Sequence, residues 1–217
     1  MQCFSGNAGC RVSRRAKQDE VLAGYEAAEM RDMSVNAACL EAQGYKIWDR
    51  AYETADFARR MGYQHLGLAF CASVAAEAGM YQRFLEDRGF RVTSVMCKTG
   101  AILKEDLLGL NDEQKVRPGC VEPMCNPIAQ AALLAEAGVD LNVVMALCVG
   151  HDSIFFAHAK GPITVLVAKD RVYDHQPIKA IRLRDAGEIT PEPQQKRTPE
   201  QIEQNKRAVF RSPAPRR

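Results

Sequence analysis

The spacing of apolar residues changes character twice along the chain. From residue 11 to 62 it is helical: "EVLAGYEAAEM" and "VNAACLEAQG" are rich in helix formers, and Ala51, Ala55, Ala58 and Met61 recur at helical intervals before Gly62 offers a stop. "HLGLAFC" (65–71) is then a short continuous apolar run of buried-strand type. It is followed by a helix with Val74, Ala78, Tyr81 and Leu85 on one face and Gly89 at its end. "RVTSVMC" (91–97) is β-branched and strand-like.

Residues 98–124 break the rhythm, with one short helical piece near "KEDLLGL" and turn chemistry at Arg117-Pro118-Gly119. Connections of this length inside a compact domain are commonly functional. In "CNPIAQAALLAEAG", Asn126 suits an N-cap, Pro127 the first helical position and Gly138 the stop. The strand "LNVVMALCV", the short helix "HDSIFFAHAKG" and the strand "ITVLVAKD" complete the alternation. These elements predict an α/β fold: a three-layer, Rossmann-like parallel sheet of about four strands, with an N-terminal helical segment (1–62), a core (63–184) and a disordered basic tail (185–217).

Composition narrows the function classes. The 217 residues are 47% hydrophobic, enough for one sizeable core. The net charge of +2 is uneven: Lys196 to Arg217 holds seven basic against two acidic residues, leaving the body mildly acidic. A tail of scattered basic residues among prolines and glutamines gives weak, salt-sensitive attraction to nucleic acid at most, so no specific nucleic-acid partner is expected. No apolar run reaches the ~18–20 residues of a membrane helix. The N-terminus has no apolar signal region, so a soluble cytoplasmic protein is expected. In a reducing compartment, eight cysteines point to metal binding or thiol chemistry rather than to disulfides.

Ligands of open α/β sheets collect at the carboxyl ends of the strands. Cys71, Cys97 and Cys148 each end, or nearly end, a predicted strand, and Cys125 stands before a helix that starts at the same edge. One such cysteine is ordinarily a small buried hydrophobe; four at equivalent positions suggest a site. Cys71 and Cys125 also precede helix N-termini, where thiolate, the metal-binding form, is favoured. Three adjacent strand ends span roughly 10 Å, whereas the sulfurs around one zinc lie under ~4 Å apart. An iron–sulfur cluster held by four thiolates is therefore the easier fit, with zinc as the other candidate.

Downstream, Cys148-x-x-His151 would let both residues ligate, or let His151 act as an acid/base beside a thiolate with Asp152 fixing its tautomer. The plainer reading makes His151 a turn residue and Asp152 a helix cap. Cys148, His151 and Asp152 are thus the candidate catalytic residues of a metal-free thiol enzyme, with Cys125 as an alternative nucleophile. A third reading, anion binding at the helix N-termini after Cys71 and Cys125, is the weakest, since "CASVAAEAG" has no glycine-rich fingerprint. Cys3 and Cys10 form half a zinc site. Cys39 is expected in a helical core, Cys120 is a loop thiol that could substitute as a ligand, and His158 and His175 are expected at the surface. Any redox partner or small-molecule ligand is left open.

The pieces "RRMGYQHLGLAFC", "VMCKTG", "RPGCVEPMCNPIAQA", "DLNVVMALCVGHDSIFF" and "PITVLVAKDRVYDHQP" occur in this order over roughly half the chain. Together they resemble a family of uncharacterised prokaryotic proteins described as predicted metal-binding proteins and catalogued as a domain of unknown function. The resemblance implies cytoplasmic metal binding, with Cys71, Cys97, Cys125 and Cys148 as the characteristic cysteines and His151-Asp152 in a Gly-His-Asp turn. It supplies no reaction. The N-terminal "CFSGNAGC" resembles only part of that family's cysteine cluster, with one residue too many and no preceding Cys-x-x-Cys, so the resemblance does not extend to a complete N-terminal metal site.

Overall fold

The computed structural model describes residues 15–189 and 197–207. Cys3, Cys10 and the remainder of the basic tail lie outside them. The chain divides into two compact units, residues 1–64 and 65–217.

Within the described residues, the first unit holds three helices, α1 (Arg15–Ala23), α2 (Ala28–Gly44) and α3 (Arg50–Arg60). Asp49 caps α3 by accepting from the Tyr52 N–H at 2.9 Å. Arg60 pairs with Asp56 one turn back at 2.6 Å and donates to Gln43 of α2 at 2.6 Å, which ties the two helices together. Ala55 and Ala58 are buried, as their spacing predicts. Cys39 departs from expectation. The half-buried stripe of α2 runs through Met33, Asn36 and Leu40 to buried Gly44, and Cys39, one residue and about 100° away from Leu40, is exposed.

The second unit is built on four parallel strands, β1 (His65–Phe70), β2 (Arg91–Met96), β3 (Leu141–Met145) and β4 (Ile163–Val167), in the order β2-β1-β3-β4. Helix α4 (Ala75–Glu86) joins β1 to β2, α5 (Lys104–Leu108) lies in the long connection, α6 (Pro127–Glu136) leads to β3, and α7 (His151–His158) joins β3 to β4. The β1-to-β2 and β2-to-β3 crossovers run in opposite directions across the sheet, so right-handed connections place α4 and α6 on opposite faces.

Side-chain alternation agrees. Ser94, level with Leu68, donates to Gln82 of α4 at 2.7 Å, whereas at Gly67, level with Thr93, an added Cβ would meet Val139 and Leu134 on the α6 side at 2.9 and 3.1 Å. Only glycine lets α6 lie this close. The result is the expected three-layer α/β architecture, with Leu66, Leu68, Val143 and Val144 essentially inaccessible in the middle layer and the order of strand addition reversing between β1 and β3.

The predicted helix faces hold: Val74, Ala78, Tyr81 and Leu85 are all buried. Asn126 caps α6 through the Ala129 N–H at 3.0 Å, Pro127 occupies its first turn, and Gly138 takes the left-handed conformation after its end. Within the stretch expected to be disordered, the described part contains the end of α8 (Pro177–Asp185) and a further helix, α9 (Pro199–Arg207). Arg197, just before α9, donates to the carbonyls of Lys115 and Val116. Among the described residues no helix is long and apolar enough to cross a membrane.

Candidate functional site

β3 stops earlier than its apolar run predicts. A register shift after Val144 and a left-handed Ala146 (φ 52°), whose N–H turns to the Val167 carbonyl at 2.7 Å, end the strand at Met145. Cys148 therefore lies on the loop beyond it rather than on the strand. Its carbonyl accepts from the N–H groups of His151 and Asp152 at 2.9 and 3.0 Å, and Gly150, at φ 86°, makes the turn into α7.

Cys71 and Cys97 are the first residues beyond β1 and β2. Each is fixed by backbone: Cys71 N–H donates to Met145 at 3.1 Å, and Cys97 N–H to Phe70 at 2.9 Å. Cys125 arrives by the long connection, which is ordered by a ladder of its own. Leu103 bridges to Pro123 antiparallel, Met124 N–H donates to Ile102 at 2.8 Å, and Lys104 pairs with buried Glu122 at 2.5 Å. Glu122 also accepts from the Arg117 N–H at 3.0 Å; although its burial works the other way, these partners hold its carboxyl below the usual range. Finally, Asn126 N–H donates to the Cys97 carbonyl at 2.7 Å and locks the arm against the end of β2.

The four thiols form a row. Cys148 and Cys71 lie close enough to influence each other's ionisation, as do Cys71 and Cys97, and the sulfurs of Cys97 and Cys125 are 3.8 Å apart. The His151 imidazole lies against Cys125 at the end of the row. The rim is cationic: Arg171 Nη2 donates to Cys148 Sγ at 2.9 Å, Lys169 donates to Ser73 Oγ, Ser73 Oγ donates to Cys71 Sγ at 3.4 Å, and Lys98 donates to the Pro123 carbonyl beside Cys125. The N–H of Ala72 points at Cys97 Sγ from 3.3 Å.

Thiols this close in a row titrate as a unit. Donation by Cys148, then by Cys97, holds Cys71 well below an ordinary thiol. The Cys97 thiol, with His151 and Lys98 assisting against burial, draws Cys125 down to about 4. Cys97 is pushed up by Cys125, Cys71 and burial; Cys148 is pushed up by Cys71 and burial, with Arg171 opposing. His151 is raised by the sulfur of Cys125, while burial opposes.

The predicted residues separate into two groups. Cys71, Cys97, Cys125, Cys148 and His151 come together; Asp152 accepts from the Ser153 N–H at 2.8 Å at the start of α7. Cys120 is half-buried in the long connection, outside the contacts of the row. His158 is exposed, but His175 is half-buried and accepts from the Asp170 N–H at 3.2 Å in the turn that follows β4.

The sequence reading missed two residues that shape this edge. Gln130, wholly buried, donates to the carbonyls of Phe70 at 3.3 Å and Val95 at 2.7 Å, bracing the strand ends that carry Cys71 and Cys97. Its signal was a lone polar residue on the apolar face of α6. Arg171 carried no comparable signal, being one basic residue among several after β4.

Among the described residues, no group of three or more His, Cys, Asp or Glu side chains is set to hold a metal ion. The 3.8 Å between the Cys97 and Cys125 sulfurs does match the roughly 3.8 Å between two thiolates that share one tetrahedral metal with ~2.3 Å bonds.

Fold and site together define a three-layer parallel α/β protein with a cysteine-lined carboxyl edge. The chain belongs to the family described as protein of unknown function (DUF1847), which matches residues 10–166. It is similar to the uncharacterized protein MJ0455 of Methanocaldococcus jannaschii, 35% identical over 185 residues, which cover 83% of this chain and 93% of that protein.

Proposed function

We propose that this is a cytoplasmic metal-binding protein in which Cys71, Cys97, Cys125 and Cys148 hold an iron–sulfur cluster or zinc at the carboxyl edge of the sheet. The observation that carries the reading is the row of four thiols brought from four separate segments. Thiols drawn from four separate segments suit a centre with more than one metal atom better than a single ion, which favours the cluster over zinc. A cluster would supply electron transfer; zinc would supply structure or Lewis acidity. Around either, the chain's own groups have clear roles: Ala72 N–H and Ser73 Oγ donate to sulfur, while Arg171 and Lys98 offset thiolate charge.

The test is metal and acid-labile sulfide analysis, with a visible spectrum, on anaerobically purified protein beside a Cys71→Ala/Cys125→Ala variant. Iron and sulfide in the parent, lost in the variant, support the cluster. Zinc alone, lost in the variant, supports the zinc form. Absence of both metals from the parent defeats the reading.

A second reading, a metal-free thiol enzyme, is favoured by the His151 imidazole against Cys125; it makes Cys125 the nucleophile in preference to Cys148, whose sulfur faces Arg171. It requires one thiol to react with iodoacetamide far faster than the others. Uniformly slow labelling counts against it.

A further inference from the structure

Within the row, Cys97 and Cys125 are differently placed from the other two cysteines. Their sulfurs are 3.8 Å apart, and their backbones are already fastened by the Asn126 N–H to Cys97 carbonyl bond at 2.7 Å. Closing that gap to the ~2.05 Å of a disulfide requires under ~2 Å of side-chain movement. Cys71 and Cys148, by contrast, are engaged sideways by Ser73 and Arg171. The pair is also asymmetric in access: Cys97 is 2% exposed, whereas Cys125 is half-buried at the mouth of the long connection.

We infer that Cys97 and Cys125 form a thiol–disulfide exchange couple, in which Cys125 attacks a low-molecular-weight disulfide and Cys97 resolves the mixed disulfide. In the first step a Cys125–sulfur bond forms, the external disulfide breaks, and one external thiolate leaves. In the second step Cys97 sulfur attacks Cys125 sulfur, the second external thiolate leaves, and it takes the proton that Cys97 gives up. The two cysteines lose two electrons and the external disulfide gains them; the thiolate released first takes its proton from water, so that two external thiols result. The hidden partner behind the accessible one gives the order of events: only Cys125 is open to a bulky reagent, and only Cys97 is placed to displace it. This chemistry does not depend on which metal the row holds. It does make oxidation and metal retention mutually exclusive, because a bonded pair withdraws two of the four donors.

The experiment incubates the full-length chain, freed of metal by chelator, in mixtures of oxidised and reduced glutathione, followed by peptide mapping by mass spectrometry. The expected result is a Cys97–Cys125 cross-link that returns to two thiols as the reduced form is increased. Cys97→Ser should stop at a stable mixed disulfide of glutathione with Cys125. Cys125→Ser, checked for native circular dichroism, should leave Cys97 unmodified. A stable mixed disulfide in the parent, a cross-link joining Cys71 to Cys148, or glutathione on Cys97 in the folded Cys125→Ser variant would overturn the inference. Metal content of the untreated protein is measured separately, so an absent metal and an absent couple are distinguishable.

Discussion

The two ends of the same four strands are finished in opposite ways. At the amino edge every polar group in view is paired with a conventional partner. The His65 ring bridges Thr93 Oγ1 at 2.8 Å and Arg91 Nη2 at 2.6 Å, the His65 N–H donates to Asp140 at 2.9 Å, and buried Asn142 donates to the carbonyls of Lys160 and Pro162. At the carboxyl edge, four thiols gather, with those of Cys97 and Cys125 3.8 Å apart, and both His151 Nδ1 and Gln130 Oε1 are buried with no hydrogen-bond partner in the structure. Unsatisfied buried acceptors and donors each cost about 1–3 kcal/mol. The contrast accords with the general tendency of parallel sheets to gather ligands at the carboxyl ends of their strands.

The largest effect expected from this contrast is on metal content. Cys71→Ala/Cys125→Ala should abolish it, whereas His65→Ala should leave it intact, as read by elemental analysis. Loss in both variants would mean that the two edges are not separable. Next in size is a pH effect on the metal-free chain. Because Cys125 is drawn down to about 4, it stays ionised as pH falls from 7.5 to 5.5, so its iodoacetamide labelling should change less than about twofold. A free thiol of ordinary acidity loses about 100-fold of its thiolate over the same interval. A labelling rate for Cys125 that drops in parallel with added glutathione would remove the proposed sign.

Smaller effects concern stability. His65→Ala leaves Arg91 and Thr93 without their shared partner and should cost about 1–3 kcal/mol in denaturant unfolding, with thiol reactivity unchanged. Asn126→Ala removes the α6 cap and should cost about 1 kcal/mol. Because Asn126 follows Cys125 directly, this variant should also slow Cys97–Cys125 cross-linking, an effect the amino-edge variant lacks.

How much of this was legible in the sequence depends on range. Strand and helix assignments for 65–96, 126–145 and 151–158 rest on local period and caps, such as Asn126-Pro127 and Gly138, and the structure agrees with them. Convergence of the cysteines followed from topology alone, since parallel strands share a carboxyl edge. Three features were not readable. The early end of β3 depends on a left-handed Ala146, which no residue type announces. The Gln130 brace and the Arg171–Cys148 contact join positions far apart in sequence, and nothing local encodes such partners. The exposure of Cys39 turned on a one-residue offset from the buried stripe of α2.

The order of the thiols along the chain has a bearing on biosynthesis. Cys71 and Cys97 flank neighbouring strands that can pair once β2 has left the ribosome, but β3, which seats against the other side of β1, is made only after the whole arm that carries Cys125. Until residue 148 has emerged, the nascent protein presents a half-built row whose sulfurs are open to capture by the wrong ion or oxidant. If the row holds the proposed centre, its loading is a late event in the life of each molecule, and conditions that slow translation between residues 97 and 148 should lower the fraction of protein that carries metal.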